Sequence, residues 1–410
     1  MIKYLIQSIF FLLVLIIGHN SWAGMTDARV AYKQGNFSLT AAQARALSND
    51  GDMEGQYLLG ELYENGHGVV QDFKEAMYWY SKAAEKGYAE AQFRIGSRYL
   101  HGQGVAIDKK VAMIWFRKAA LQGQREAQFE LGRLYTQIQR VSPDDGAAAM
   151  WIRKAAERNH VEAQLELGKM YIDGRIEKNN YAVANLWYRK AAESGMANSQ
   201  LLLAMALESG LGIAQNLSEA ASWYLKAANQ GNAKAQLSLA KMMHTGRGVK
   251  KEEFKSSEWF LKAAEQGEVE AQYSMASMYD KGDVISRDFN LALEWYRKAA
   301  LQNHVESLCK MASFYAKGVG VVEDRPVAIT LFKSAASQNS VEAQYNLGWM
   351  YANGYGVAVD LVQAHMWFNL AAISGDKEAL RNRKVAEAMM NPGQLETAQS
   401  MAREWLIAHK

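Results

Sequence analysis

Between residues 55 and 378 the apolar positions fall into two alternating helical registers, separated by glycine-bearing turns. In residues 91–126, Ala91, Ile95 and Tyr99 stand at i, i+4 and i+8 with Gly96 beside them, so they share one helix face. The run stops at His101-Gly102-Gln103-Gly104, which reads as a turn. A second register carries Ala112, Trp115-Phe116 and Ala119-Ala120 and stops at Gly123. Each segment therefore predicts two helices joined by a tight connection.

The segment recurs. Trp79, Trp115, Trp151, Trp187, Trp223, Trp259, Trp295 and Trp367 are spaced by 36 residues or, across Leu331, by twice that. Counting from the Ala-Gln pair, nine units follow without insertion: 55–90, 91–126, 127–162, 163–198, 199–234, 235–270, 271–306, 307–342 and 343–378. A unit of this size cannot bury its own apolar face, so stacking must supply the core, and an α-solenoid is expected. The eighteenth place is Asp72, Asp108, Asp144, Asn180, Asn216, Asp288, Asp324 or Asp360, with Glu252 the exception, and predicts an N-cap for the second helix. The thirty-third place holds Gly87, Gly123, Gly195, Gly231, Gly267 and Gly375, or Asn159, Asn303 and Asn339, residues that tolerate the left-handed helix end. Pro326 falls in a first turn, where a missing amide costs little. An Ala-Ala pair precedes each helix end, and the sixth place is always Gly or Ala, as in Gly60, Gly132, Ala240 and Gly348. The holes these leave call for aromatic knobs, supplied by residues such as Tyr63 and Tyr99 or by Trp79-Tyr80 and Trp115-Phe116.

Composition agrees. Of 410 residues, 49% are hydrophobic and three are proline, which suits a long packed helical array and excludes disorder as the main state. A net charge of +3 gives no reason to expect a nucleic-acid partner. A single cysteine excludes an intrachain disulfide and any multi-cysteine metal site. Residues 1–23 read differently: Lys3, the apolar run Ile9 to Ile17, and the small residues Ser21 and Ala23 form a signal-peptide pattern with cleavage expected after Ala23. The run is too short for the ~20 residues of a spanning helix. The mature chain is thus expected to be periplasmic or secreted, without stable membrane insertion.

The spacing of Ala91-Gln92, Ile95-Gly96, Tyr99, Gly102-Gln103-Gly104-Val105, Asp108, Ala112, Trp115-Phe116, Lys118-Ala119-Ala120 and Gly123 resembles the Sel-like repeat, a relative of the tetratricopeptide repeat. The resemblance covers residues 55–378 and implies an all-α, right-handed solenoid of stacked antiparallel helix pairs. Residues 24–54 resemble a partial repeat or cap, and 379–410 the closing helix pair of such arrays. Unit 3 departs from the turn pattern with Ile138-Gln139-Arg140-Val141-Ser142-Pro143, and unit 4 with Gly174-Arg175-Ile176-Glu177. Unit 8 diverges most, with Leu308, Leu331 and Ser334 at motif places. The cysteine-rich branch of the family, linked to β-lactam binding, staples each repeat with a disulfide; this chain lacks those cysteines.

Candidate chemistry is sparse. The six Gly-x-Gly turns lack the third glycine and preceding strand of a phosphate loop. Ser238 to Lys241, Ser307 to Lys310 and Ser374 to Lys377 match Ser-x-x-Lys without its companion motifs, and the first two fall on ordinary positions of the first helix. The eight histidines are scattered, and Cys309 stands where Phe93 and Phe129 do, as a small apolar residue. Arg117-Lys118, Arg153-Lys154, Arg189-Lys190 and Arg297-Lys298 read as a solvated face with local ion pairs. The fourth, seventh and eleventh places of the first helix form a variable stripe on one face. They include Arg94, Ser97 and His101; Arg133; Lys169; Lys241; and the apolar pair Leu202 and Met205. Trp349 with Asn353 completes the set, and an outward Trp off the repeat pattern is a candidate hot spot. These residues are the candidate partner-binding set on the concave face, with no catalytic residue, cofactor or metal. The expected function is an exported, non-catalytic scaffold that binds a protein or peptide in envelope assembly or host contact. The alternative is a cell-wall enzyme or β-lactam-binding protein like the cysteine-rich branch.

Overall fold

The computed structural model describes residues 24–138, 145–177 and 179–409, and all regular structure among them is helical. Residues 1–23 and the unit-3 turn, including the expected cap Asp144, lie outside the described residues. Contacts divide the chain into two compact units. One runs to Ser199 and includes Leu211–Ile213; the other comprises Gln200–Gly210 and everything from Ala214.

In the first unit, a helix at 24–33 pairs with Phe37–Asn49, and four repeats follow. Repeat 1 is Met53–Asn65 with Phe73–Glu85, repeat 2 Ala89–His101 with Lys109–Leu121, repeat 3 Arg125–Ile138 with Asp145–Glu157, and repeat 4 Val161–Ile172 with Tyr181–Glu193. Repeat 5 is Ala197–Ser209 with Leu217–Asn229, and the unit boundary falls inside its first helix. The second unit continues with Ala233–Thr245 and Glu253–Glu265, Val269–Lys281 and Phe289–Ala300, Val305–Lys317 and Arg325–Ala336, then Val341–Asn353 and Leu361–Ile373 as repeats 6 to 9. Helices Lys377–Ala388 and Pro392–Ala408 end the chain. Each repeat is an antiparallel helix pair, and the array is an all-α solenoid of the tetratricopeptide type. The first helices begin two residues before the Ala-Gln pair, as Met53 and Ala89 show.

Both ends of the helices are fixed by the expected residues. The side chains of Asp72, Asp108, Asn180, Asn216, Asp288, Asp324 and Asp360 accept first-turn amides of their second helices, and Glu252 makes no such bond. The thirty-third place is left-handed throughout, with φ of +94° at Gly195 and about +60° at Asn159, Asn303 and Asn339. The Gly-x-Gly turn has a second use. Its first glycine closes the first helix in the left-handed region, and its second lies against the start of the preceding repeat's second helix. A Cβ on Gly248 would stand 2.6 Å from the carbonyl oxygen of Leu217, and one on Gly104 would stand 2.9 Å from Cβ of Phe73. In repeat 7 that second glycine is Val284, a departure the sequence reading passed over.

The core knob is the residue after the repeat tryptophan. A Cβ on Gly60 would meet the Tyr80 ring at 2.7 Å, and one on Gly96 would meet Phe116 at the same distance, so the small sixth place is the socket for its own repeat's second helix. Tyr80, Phe116, Ile152, Tyr224, Phe260, Tyr296 and Phe368 are all buried there. Between repeats, the buried Gln of the Ala-Gln pair donates to a carbonyl of the Ala-Ala pair before it in repeats 2, 3, 4, 6 and 7. Gln92 reaches Ala84 O at 3.2 Å, Gln128 reaches Ala120 O at 3.0 Å and Gln236 reaches Ala228 O at 3.1 Å. Burial makes that bond costly to lose, so it fixes how successive pairs stack.

Candidate protein-interaction surface

The variable stripe of the first helices is built on rigid elements, since its neighbours on the same helix are the socket glycine and the buried glutamine. Arg94 is half-buried and bridges repeats, pairing with Glu61 at 2.9 Å and donating to Tyr57 Oη at 3.3 Å. Arg133 pairs with Glu130 at 3.0 Å and Lys169 with Glu166 at 3.8 Å, one helical turn back in each case. Lys241 pairs with Glu270 of the next repeat. Ser97 is half-buried, and His101 ends its helix exposed. Leu202 is half-buried and Met205 exposed. Exposed pairs of this kind are worth only ~0–1 kcal/mol, so the cations can exchange an intramolecular carboxylate for a partner's at little cost.

Trp349 is 42% exposed, its ring edge-on to Tyr355 at 5.4 Å, and Asn353 donates from its side chain to Trp349 O at 2.8 Å. Trp223, on the repeat lattice, is buried. A groove of about 580 Å³ opens beside Trp349, between Tyr345, Val385 and Met389. The penultimate helix Lys377–Ala388 walls that groove without covering the indole.

Two features were not read from the sequence. Arg98, almost fully buried, pairs with Glu64 at 2.9 Å and stacks its guanidinium near Phe73 and Tyr80. Glu64 also accepts the Tyr80 hydroxyl, and burial followed by that hydrogen bond holds the phenol far above its ordinary range. The same hydroxyl-to-carboxylate link joins Tyr224 to Glu208 at 2.7 Å and Tyr296 to Asp280 at 3.4 Å. The recurrence of a tyrosine 16 residues after an acidic residue was the available signal. The second feature corrects the reading of the Arg-Lys pairs as a face of ion pairs. Lys118, Lys154, Lys190, Lys226, Lys262 and Lys298 sit over the rings of Trp115, Trp151, Trp187, Trp223, Trp259 and Trp295, at 3.7–4.6 Å from the centroids. The arginine beside the lysine turns to the next repeat, where Arg153 meets Tyr171 Oη at 2.6 Å and Arg297 meets Tyr315 Oη at 3.4 Å.

Among the described residues, the side chains singled out for possible chemistry are held in structural contacts. Lys241 is committed to Glu270, Ser307 sits in the first turn of its helix beside His304, and the Cys309 thiol is buried, pushed up to about 11 by desolvation, and 3.3 Å from Ser340 Oγ. Among the described residues no three or more His, Cys, Asp or Glu side chains cluster in metal-binding geometry, and no helix is long and apolar enough to cross a membrane.

Comparison with known proteins places this geometry. The Sel1 repeat profile matches nine successive segments, 54–88, 89–124, 125–160, 161–196, 197–232, 233–268, 269–304, 305–340 and 341–376. Among solved structures, the chain is similar to c5321, described as a protective antigen of uropathogenic Escherichia coli strains displaying an SLR fold. Identity is 32% over 94% of this chain and 91% of that one, with a TM-score of 0.68. It is also similar to a Sel1 repeat protein from Oxalobacter formigenes, with 30% identity, coverage of 75% and 89%, and a TM-score of 0.57. No curated protein matches.

Proposed function

The chain belongs to the Sel1 repeat family, whose members are in general protein–protein interaction scaffolds, and from that premise we propose that it is a non-catalytic adaptor. The first-helix stripe of each unit offers a surface for a protein or peptide partner, with Arg94, Arg133 and Lys169 as exchangeable charges in the first unit, and Lys241 beside the apolar anchors Leu202, Met205 and Trp349 in the second. The observation that carries this reading is the exposed Trp349 beside an open groove, because a large aromatic left half in water is the residue type that dominates interface energies. The protein acts outside the cytoplasm, in the periplasm or beyond, where it assembles envelope complexes or meets host proteins. The apolar run before Ser21-Trp22-Ala23 supports export, as does the likeness to a protein described as a protective antigen.

The test is capture from the native organism on immobilised mature chain, comparing wild type with Trp349→Ala and Met205→Ala/Lys241→Ala. A partner retained by the wild type and lost by either variant supports the stripe. Retention by both variants places the binding elsewhere. Mass spectrometry of the secreted form is expected to begin at Gly24, and a chain still starting at Met1 in the membrane fraction overturns the export reading.

A further inference from the structure

The residue before the second-helix tryptophan sorts the repeats into three kinds. It is Tyr78, Ile114, Met150 and Leu186 in repeats 1 to 4; Ser222, Glu258, Glu294 and Thr330 in repeats 5 to 8; and Met366 in repeat 9. The first four are 45–62% exposed and form an apolar row on successive second helices. Met366, at the same place, is 4% exposed. The difference is helix Pro392–Ala408, which packs against Leu361–Ile373, sets Trp405 edge-on to Trp367 at 4.7 Å and brings Met401 and Ala402 to the same cluster. The molecule thus carries its own example of what covers this position: an amphipathic helix with an aromatic anchor.

The row in repeats 1 to 4 is flanked by cations. Lys118, Lys154 and Lys190 rest on tryptophan rings rather than on carboxylates, and such contacts leave the ammonium charge unneutralised. Between helices Asp145–Glu157 and Tyr181–Glu193 a groove of about 470 Å³ is lined by Leu186 and Trp187, by Arg153, Arg189 and Lys190, and by Glu157 and Glu193. Cations still dominate this face, since the second helices of repeats 1 to 4 carry ten Lys and Arg against five Asp and Glu. An apolar row with basic edges is complementary to a helix that is apolar on one face and acidic beside it.

We propose that the second-helix face of repeats 1 to 4 docks an acidic amphipathic helix of a partner protein, its apolar stripe across Ile114, Met150 and Leu186 and its carboxylates at Lys118, Lys154 and Lys190. A second copy of this chain does not fit as well. Its own amphipathic terminal helix is already seated in cis and carries Glu396 and Glu404 against Arg403, a net of one negative charge for three lysines. This surface lies on the second helices, apart from the first-helix stripe proposed above.

The full mature chain is titrated, by fluorescence anisotropy, with a labelled synthetic helix of about 20 residues that places Leu and Trp at i, i+3, i+4 and i+7 and Glu elsewhere, and with its Lys-for-Glu counterpart. The acidic helix is expected to bind about tenfold or more tightly than the basic one, and the variant Met150→Glu/Leu186→Glu to lose about tenfold or more of that affinity. The fold accepts glutamate at this place, since Glu258 and Glu294 occupy it; unchanged circular dichroism melts establish that the variant is folded. Thr330→Glu and Trp349→Ala should leave the titration unchanged, which separates failure here from failure of the first-helix reading. Equal binding of the two helices, or undiminished binding by the double variant, overturns the proposal. So does concentration-dependent self-association abolished by the double variant, which would make a second copy the occupant.

Discussion

At the scale of single residues, the two glycine classes do different work, and their substitutions should separate. Gly195 is left-handed, and a Cβ there meets nothing within 4 Å, so Gly195→Ala is expected to cost only the backbone strain of ~1 kcal/mol. Gly248 is left-handed as well, but its Cβ would collide with the backbone of Leu217, so Gly248→Ala should cost clearly more. Urea midpoints of the two variants check the order. His365 offers a pH test. It is buried, its Nδ1 has no hydrogen-bond partner, and desolvation holds its pKa below 6.5, against partial opposition from Glu387 at 4.0 Å. The unfolded chain therefore takes up a proton first as pH falls. Stability is full above pH ~6.5 and declines below it. The variant His365→Gln should flatten, in part, the fall in unfolding free energy between about pH 7.5 and 5, and His160, also lowered by burial, contributes in the same sense.

Among elements, the junction between repeats is a hydrogen-bonded seam whose completeness varies. Gln122, Gln230, Gln266 and Gln302 donate at 2.7–3.0 Å to the oxygen of the buried glutamine 30 residues earlier. Where that donor is replaced by Lys86, Arg158, Ser194 or Ser374, the oxygens of Gln56, Gln128, Gln164 and Gln344 are buried without a partner. Ser194→Gln should restore the bond to Gln164 and raise stability by ~0.5–1.5 kcal/mol, read from chemical denaturation. Helix starts and stops were legible beforehand because capping is a local bargain between one side chain and two or three amides; Asp72 and Gly195 could be read alone. The seam was not legible, because Gln92 and Gln122 meet only once the stacking is known. The Trp-Lys stacking escaped for a related reason: a ring three residues before a cation reads as surface unless the ring's burial is known. Arg98 looked like any helix charge, and only its placement under Phe73 and Tyr80 shows that it is enclosed.

At the scale of the whole chain, Trp223 on the 36-residue lattice and Trp349 off it should respond differently. Trp223→Ala removes a buried indole and is expected to cost ~3–5 kcal/mol. Trp349→Ala should leave the unfolding curve nearly in place and weaken partner binding by ~1 kcal/mol or more. Thermal unfolding and a titration with the captured partner check the pair. The division into repeats was read from the period alone, whereas the return of the last helix onto Leu361–Ile373 was not, since Asn391-Pro392-Gly393 marks a break without giving its direction. The uninterrupted 36-residue spacing also has a genetic corollary. The glutamine seam and, in the six Gly-x-Gly turns, the second glycine address main-chain atoms at fixed offsets in whichever repeat comes before. Unequal crossing-over that deletes or duplicates one block of 36 codons therefore rejoins a donor to an equivalent acceptor, and descendants of this gene can lengthen or shorten by whole repeats without inventing a new junction.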